Sequence, residues 1–160
     1  MKLIAAVSKN WGIGKDGALL FSIPSDMKFF RETTDGAAVI MGRKTLDSFP
    51  GGRPLKNRVN IVLTHDYGFS REGVVVCHSE DEVLKKAEEY ENVFVIGGEE
   101  IYSLFLEDCD TAYITKVEEY AEADKFLPDL DGNPEWHLEK KSEPICENGH
   151  TFTFCTYKKD

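Results

Sequence analysis

The chain has only four cysteines in 160 residues, Cys77, Cys109, Cys146 and Cys155, and no two of them form a C-x-x-C pair. Its four histidines, His65, His78, His137 and His150, do not fall at zinc-site spacing either. No resident metal is therefore expected. With no secretion signal, the thiols read as buried or incidental rather than disulfide-bonded. No apolar run approaches membrane-spanning length, and no early segment combines a charged start, an apolar stretch and a cleavage site. These absences lead to the expectation of a cytoplasmic protein with no membrane partner. Positive charge is also scarce, since 19 Lys and Arg face 29 Asp and Glu for a formal charge of −10. That balance argues against nucleic acid as a general partner. There is no repeat, no low-complexity segment and no long linker, so residues 1–160 are expected to form one domain.

The positive charge that is present is concentrated. Arg43, Lys44, Arg53, Lys56 and Arg58 stand against a single acid, Asp47, between Arg43 and Arg58. Such a run is ordinarily a solvated face, but in an acidic chain it also attracts small anions. Strands are expected over Lys2 to Ser8, Ala38 to Met41, Val59 to Thr64, Val74 to Cys77, Val93 to Ile96 and Thr111 to Val117. Helices are expected over Pro24 to Thr33, Arg43 to Ser48 and Glu99 to Leu106. Another should open at the Ser79-x-x-Glu82 capping box and run to about Tyr90, with a Glu82–Lys86 pair on its outer face. Asn10 to Gly17, with Gly12, Gly14 and Gly17, reads as a mobile loop, and an acidic loop follows Val117. Trp136 to Lys141 and Thr151 to Tyr157 read as two strands joined through Glu147-Asn148-Gly149-His150, a connection longer than a tight turn. Strands alternating with helices imply an α/β fold. The expected sheet is mainly parallel, with helices on both faces and an antiparallel C-terminal edge.

Two features carry chemistry. The first is Asp26, in the opening turn of the helix that begins at Pro24, with Met27 and Phe30 nearby on the same helix. It reads either as a helix-start residue or as a semi-buried carboxylate that binds or protonates a ligand. The second is a pair of strand–glycine–helix junctions, Val39-Ile-Met-Gly-Arg-Lys-Thr45 and Val95-Ile-Gly-Gly-Glu-Glu-Ile-Tyr102. Glycine there lets backbone approach a ligand, and helix-start N–H groups favour phosphate. Two such junctions, one flanked by Arg and Lys, point to a dinucleotide with an extra phosphate. The spacing Gly12-Ile-Gly14-Lys-Asp-Gly17 lies in the glycine loop and does not open a helix, and there is no following ribose-binding acid, so the usual Rossmann fingerprint is absent.

These pieces come in an order that resembles dihydrofolate reductase of the bacterial single-domain type. The matching segments are Leu3-Ile-Ala-Ala, Ile13-Gly14, Ile23-Pro-Ser-Asp26, Val39 to Thr45, Arg53-Pro-Leu55, Ile96-Gly-Gly98 and Tyr113-Ile-Thr115. The resemblance implies an eight-stranded sheet with four helices, and reduction of 7,8-dihydrofolate by NADPH. It makes Asp26 the pterin-binding carboxylate and Thr115 its hydrogen-bond partner. Phe21 joins this catalytic group, standing with Leu20 where relatives usually carry Pro-Trp. Ala5, Ala6, Met27, Phe30, Ser48, Phe49, Leu55 and Ile96 are assigned to the folate pocket, and Arg58 to the substrate's α-carboxylate. The cofactor set it implies is Ala6, Ile13, Gly14, Leu19, Gly42, Arg43, Lys44, Thr45, Leu63, Thr64, His65, His78, Gly97, Gly98, Glu99, Ile101 and Tyr102. Residues from about Ser8 to Ile23 would form a lid. Glu99-Glu100 and the two histidines depart from common family residues at the adenine end. Dihydrofolate and antifolate small molecules are the implied ligands, and a monomer the implied state.

Two other readings compete. One is a ribityl-pyrimidine reductase with the same fold, against which Asp26, Phe30 and Arg58 weigh. The other is a pterin- or NADPH-binding module without catalysis. Loss of NADPH absorbance on mixing with dihydrofolate separates all three.

Overall fold

The computed structural model describes all of residues 1–160. In chain order the elements are β1 (Lys2–Val7), β2 (Gly12–Lys15), β3 (Ala18–Leu19), α1 (Pro24–Thr34), β4 (Ala38–Gly42), α2 (Arg43–Ser48), β5 (Val59–Leu63), β6 (Val74–Cys77), α3 (Glu80–Ala87), β7 (Val93–Gly97), α4 (Glu99–Phe105), β8 (Thr111–Val117), β9 (Lys125–Phe126), β10 (Trp136–Lys141), β11 (Ile145–Glu147) and β12 (His150–Lys159). The main sheet has the order β10-β12-β8-β1-β7-β4-β5-β6, and β11 joins β12 outside that path. The strands from β8 to β6 along this order are parallel, β12 runs antiparallel to β8, and β10 antiparallel to β12. This is the mainly parallel α/β sheet with an antiparallel C-terminal strand and four helices that the alternation of elements implies.

Residue alternation divides the core into two layers. Leu3, Ile40, Ile61 and Val95 face one side, where Val83 and Ala87 of α3 and Ile101, Tyr102 and Phe105 of α4 join them. Ile4, Val39, Met41 and Phe94 face the other, with Leu46 of α2 and Phe29 and Phe30 of α1. Central strands covered on both faces must be apolar throughout, and Ala38, Val39, Ile40 and Met41 are each 0% exposed. Full burial of one such aliphatic side chain contributes roughly 1.5–3 kcal/mol.

Three local expectations are corrected. Asn10 to Gly17 is not simply a loop. Asp16 (φ 51°) and Gly17 (φ 80°) form the turn of a β2–β3 hairpin, in which Lys15 pairs with Ala18. β9, inside the acidic loop, pairs with β2 to complete a three-stranded sheet. Short, glycine-rich strands give almost no periodic signal, whereas Asp-Gly is a hairpin turn. Likewise, Asn148 (φ 51°) and Gly149 (φ 78°) make a two-residue turn between Glu147 and His150, which pair directly. β11 is thus a separate short strand, and β10 pairs with the distal part of β12.

Helix α3 differs in detail. Ser79 Oγ accepts from the Glu82 N–H at 3.1 Å, but the Glu82 carboxylate accepts from the His78 N–H at 3.2 Å. With Glu82 turned towards the helix start, Lys86 pairs with Glu89 at 3.1 Å and not with Glu82. The helix stops at Ala87, short of Tyr90, because the N–H groups of Glu89 and Tyr90 bond three residues back. No helix is long and apolar enough to cross a membrane.

Candidate active site

Asp26 does not cap its own helix. The N-cap is Ile23, which has no side-chain acceptor, and Pro24 is the first helical residue. The Asp26 carboxylate instead accepts a 2.6 Å hydrogen bond from the Thr115 hydroxyl. Thr115 is buried on β8, where Ala6 of β1 and Phe154 of β12 flank it. The contact therefore joins α1 to the middle of the sheet. Burial raises the carboxyl above its ordinary pKa, and the Thr115 bond offsets part of the rise by favouring the ion. The Asp26 charge also adds to the burial that raises the Tyr102 phenol. That hydroxyl lies 2.8 Å from the carbonyl oxygens of both Ile4 and Ile96 and donates to one at a time.

An apolar wall lies beside this pair. Phe30, Phe49, Leu55 and Ile96 all pack on the core layer of Val39, Met41 and Phe94. Ala5 packs on the opposite layer, and Met27 is 52% exposed, away from either cluster. Ser48 is exposed and donates to the Thr45 carbonyl at 2.6 Å. Arg58 is tied to the end of α1. Its Nε donates to Thr34 Oγ1 at 3.0 Å, Nη1 to the Lys56 carbonyl at 2.5 Å and Nη2 to the Arg31 carbonyl at 2.6 Å. Three of an arginine's five N–H donors are thus used, and two remain for an anion.

The two glycine junctions lie side by side. β4 pairs with β7, bringing Met41 opposite Gly97 next to the Gly42–Arg43 turn. The Gly97–Gly98 peptide is cis, and Gly97 has φ 135°, which a side chain rarely adopts. A Cβ at Gly97 or Gly98 would come within 3.5 or 3.8 Å of Thr45 Oγ1, so bare backbone meets the Thr45 hydroxyl here. At Gly42 a Cβ would meet Ile101 at 3.2 Å, and glycine there permits α4 to pack closely. Lys44 is exposed, but Arg43 is engaged. It pairs with Asp66 at 2.8 Å and Asp47 at 3.6 Å, and lies 4.5 Å over Phe69. Leu63 ends β5 and Thr64 follows it towards His78, whose Nδ1 lies 2.8 Å from the Thr64 carbonyl. Tyr67 stacks on His78 at 4.4 Å, whereas His65 is exposed. Asp66 and Tyr67 were not anticipated, because their roles depend on a loop folding back onto Arg43 and His78.

The β2–β3–β9 sheet holds Ile13, Gly14 and Leu19, with Leu19 84% exposed at the hairpin. Glu99 faces this sheet, accepting from the Phe126 N–H at 2.7 Å. Phe21 packs with Ile23, Val117 and Phe152 and sets its ring edge-on against His150 at 5.5 Å. His150 pairs with Glu119, and Glu147 accepts from the N–H and hydroxyl of Ser25. Glu147 too escaped the sequence reading, although Asn148-Gly149 beside it carried the hairpin signal.

Paired glycine turns at the carboxyl ends of adjacent parallel strands, beside a carboxylate held by a buried hydroxyl, define an α/β protein of the class that holds a nucleotide across its sheet. A dihydrofolate reductase family model matches residues 1–159. The dihydrofolate reductase of Bacillus subtilis (strain 168) is 35% identical over 161 residues, covering 99% of this chain and 94% of the relative. That of Staphylococcus haemolyticus is 41% identical over 128 residues, covering 80% and 76%. A bifunctional dihydrofolate reductase-thymidylate synthase of Daucus carota is 41% identical over 177 residues and 98% of this chain, which spans 33% of that relative. Among solved structures, the chain is similar to Enterococcus faecalis dihydrofolate reductase complexed with NADP(H) and RAB-propyl. The TM-score is 0.89 at 35% identity, covering 99% of this chain and 95% of that one. The chain belongs to the dihydrofolate reductase family, and its single-domain bacterial relatives match it over most of their length.

Proposed function

We propose that the protein reduces 7,8-dihydrofolate to tetrahydrofolate, with NADPH and one proton consumed and NADP⁺ released. The observation that carries the reading is the Asp26–Thr115 pair, a partly buried carboxylate whose helix neighbours include Phe30. Gly97, Gly98 and Thr45 fit a cofactor, since they form a cradle that any Cβ would narrow, and Arg43 and Lys44 lie close by in sequence for its phosphates. Bound there, NADPH supplies the hydride for C6 of the pterin. Asp26 accepts the pterin's N–H donors and favours the form protonated at N5. Thr115 fixes the carboxylate's orientation by donating to one oxygen, leaving the other for the ligand. Arg58 offers its two remaining N–H groups to the substrate's α-carboxylate, a geometry that lysine does not reproduce. Phe21 and the β2–β3 hairpin would limit water above the reacting atoms. The protein acts as a cytoplasmic monomer on small-molecule ligands, dihydrofolate and antifolates among them, and 1–160 is one domain. Following NADPH absorbance with and without dihydrofolate tests the reading, and no substrate-dependent loss would reject it.

A further inference from the structure

We propose that Glu147, on the last hairpin, is a positioning residue that sets the start of α1 and through it the aim of Asp26. The inference rests on the dihydrofolate reductase reading above. Helix α1 begins without a cap of its own. Ile23 has no side-chain oxygen, Pro24 has no N–H, and Ser25 carries the first free backbone donor. Glu147 supplies both missing contacts from 122 positions away. One carboxylate oxygen accepts the Ser25 N–H at 2.8 Å, and the other accepts the Ser25 hydroxyl. These bonds hold the Glu147 carboxyl below its usual range.

Ile23 anchors the same end by apolar contact with Val117 and Phe152, but such contact does not specify the helix's rotation. Two directed hydrogen bonds to Ser25, the residue before Asp26, do specify it. Thr115 needs no such help, because β8 is paired on both sides. The Asp26–Thr115 distance is therefore fixed on the sheet side by β8, and on the helix side by the tight Asn148-Gly149 turn that presents Glu147. The neighbouring His150–Glu119 pair fastens that turn to the segment just after β8. None of these hairpin residues hydrogen-bonds to the Asp26 carboxylate, so the effect passes through Ser25.

The test compares Glu147→Ala and Glu147→Gln in the full chain by single-turnover hydride transfer with NADPH and dihydrofolate. The Ala variant should be slower by roughly three- to tenfold, the scale of a lost helix cap, with unchanged NADPH affinity. The apparent pKa of its rate profile should move down, because a loosened helix start admits water to Asp26 and relieves its burial. The Gln variant keeps one acceptor and should recover part of the rate. In an Asp26→Asn background, Glu147→Ala should cause no further slowing, whereas a merely structural role would slow both backgrounds equally. Equal slowing, or an unchanged rate and profile in an active enzyme, overturns the positioning role alone. A wild-type chain that cannot oxidise NADPH with dihydrofolate removes the underlying reading and this role with it.

Discussion

The two halves of the candidate site are built from different materials. On the folate side, charged groups are held by neutral partners. Asp26 is bonded to Thr115, and Arg58 to two carbonyls and the Thr34 hydroxyl. Each has its orientation already fixed, so ligand binding there requires little rearrangement. On the cofactor side, the fixed part is glycine backbone, and of the two cations Lys44 is exposed while Arg43 is already paired. Arg43 is spent on Asp66 and Asp47, and the first turn of α4 carries Glu99 and Glu100. A phosphate that meets Arg43 must exchange partners with carboxylates. The folate side should therefore respond steeply to single substitutions, and the cofactor side weakly but with marked salt dependence.

The largest effect expected is at Asp26. Asp26→Asn keeps the acceptor for Thr115 but loses the charge, so hydride transfer at neutral pH should fall by about 10²-fold or more. The deficit should shrink in acid, where more substrate arrives already protonated. Stability should move the other way. The folded-state pKa of Asp26 is raised, so the folded protein holds that proton more tightly than the unfolded chain. Its contribution to stability is complete in acid and is lost as pH rises through the raised pKa. Above the raised pKa the wild type bears a buried charge that the variant lacks, and there the variant's Tm should equal or exceed the wild type's. The difference should vanish below about pH 4, the ordinary carboxylate range. A flat near-wild-type rate profile would show that Asp26 only shapes the helix.

Arg58→Lys comes next. A buried or half-buried charge pair that loses one partner costs on the order of 2–5 kcal/mol, and lysine retains only part of it. Lysine also cannot reproduce three bonds to Thr34, Lys56 and Arg31 while presenting a fork. Dihydrofolate affinity should drop with NADPH affinity nearly constant, as titration of each ligand would report. Unchanged dihydrofolate affinity would place the substrate's carboxylate elsewhere.

The same contrast governs what was legible in the sequence. The main strands, the Pro24 start and the β4–α2 junction depend on local periodicity and punctuation, and the structure has them within about a turn of the expected bounds. Resemblance supplied the Asp26–Thr115 partnership, which no local pattern contains because 89 positions separate the two. The Arg43–Asp66 pair, the Glu99–Phe126 contact and the Glu147 cap were not legible. Each joins a loop or hairpin to an element remote in sequence, and single-residue preferences say nothing about which of several acids will be brought there. The β2–β3 hairpin is the instructive miss, since Asp16-Gly17 announced the turn while its strands are too short and glycine-rich to show alternation.

On the cofactor side the expected changes are smaller. Catalytic efficiency should favour NADPH over NADH, because Arg43 and Lys44 stand at the α2 start and no ribose-binding acid follows the first strand. Asp66→Asn releases Arg43 from its 2.8 Å partner. NADPH affinity should then rise roughly two- to fivefold, the range of an exposed ion pair, and fall more steeply with added salt. Equal use of NADH and NADPH by the wild type would remove the phosphate-recognition role of this pair.

The smallest effect is expected from Phe21→Trp. Phe21 packs with Ile23, Val117 and Phe152 but is not fully covered, and its ring meets His150 edge-on. An indole enlarges that contact and adds an N–H donor that phenylalanine lacks. Because the position is partly open, the extra volume should be accommodated with a Tm change of no more than a few degrees, equivalent to about 1 kcal/mol in a domain of this size. The new donor would stand just before the start of the carboxylate helix, where an ordered water can link it to the ligand. Any change should therefore appear in the hydride step or in the closing of the β2–β3 hairpin rather than in NADPH affinity. Pre-steady-state kinetics and a melting curve on the same preparation decide the matter. A large loss of stability with unchanged kinetics would mark Phe21 as ordinary packing with Ile23, Val117 and Phe152.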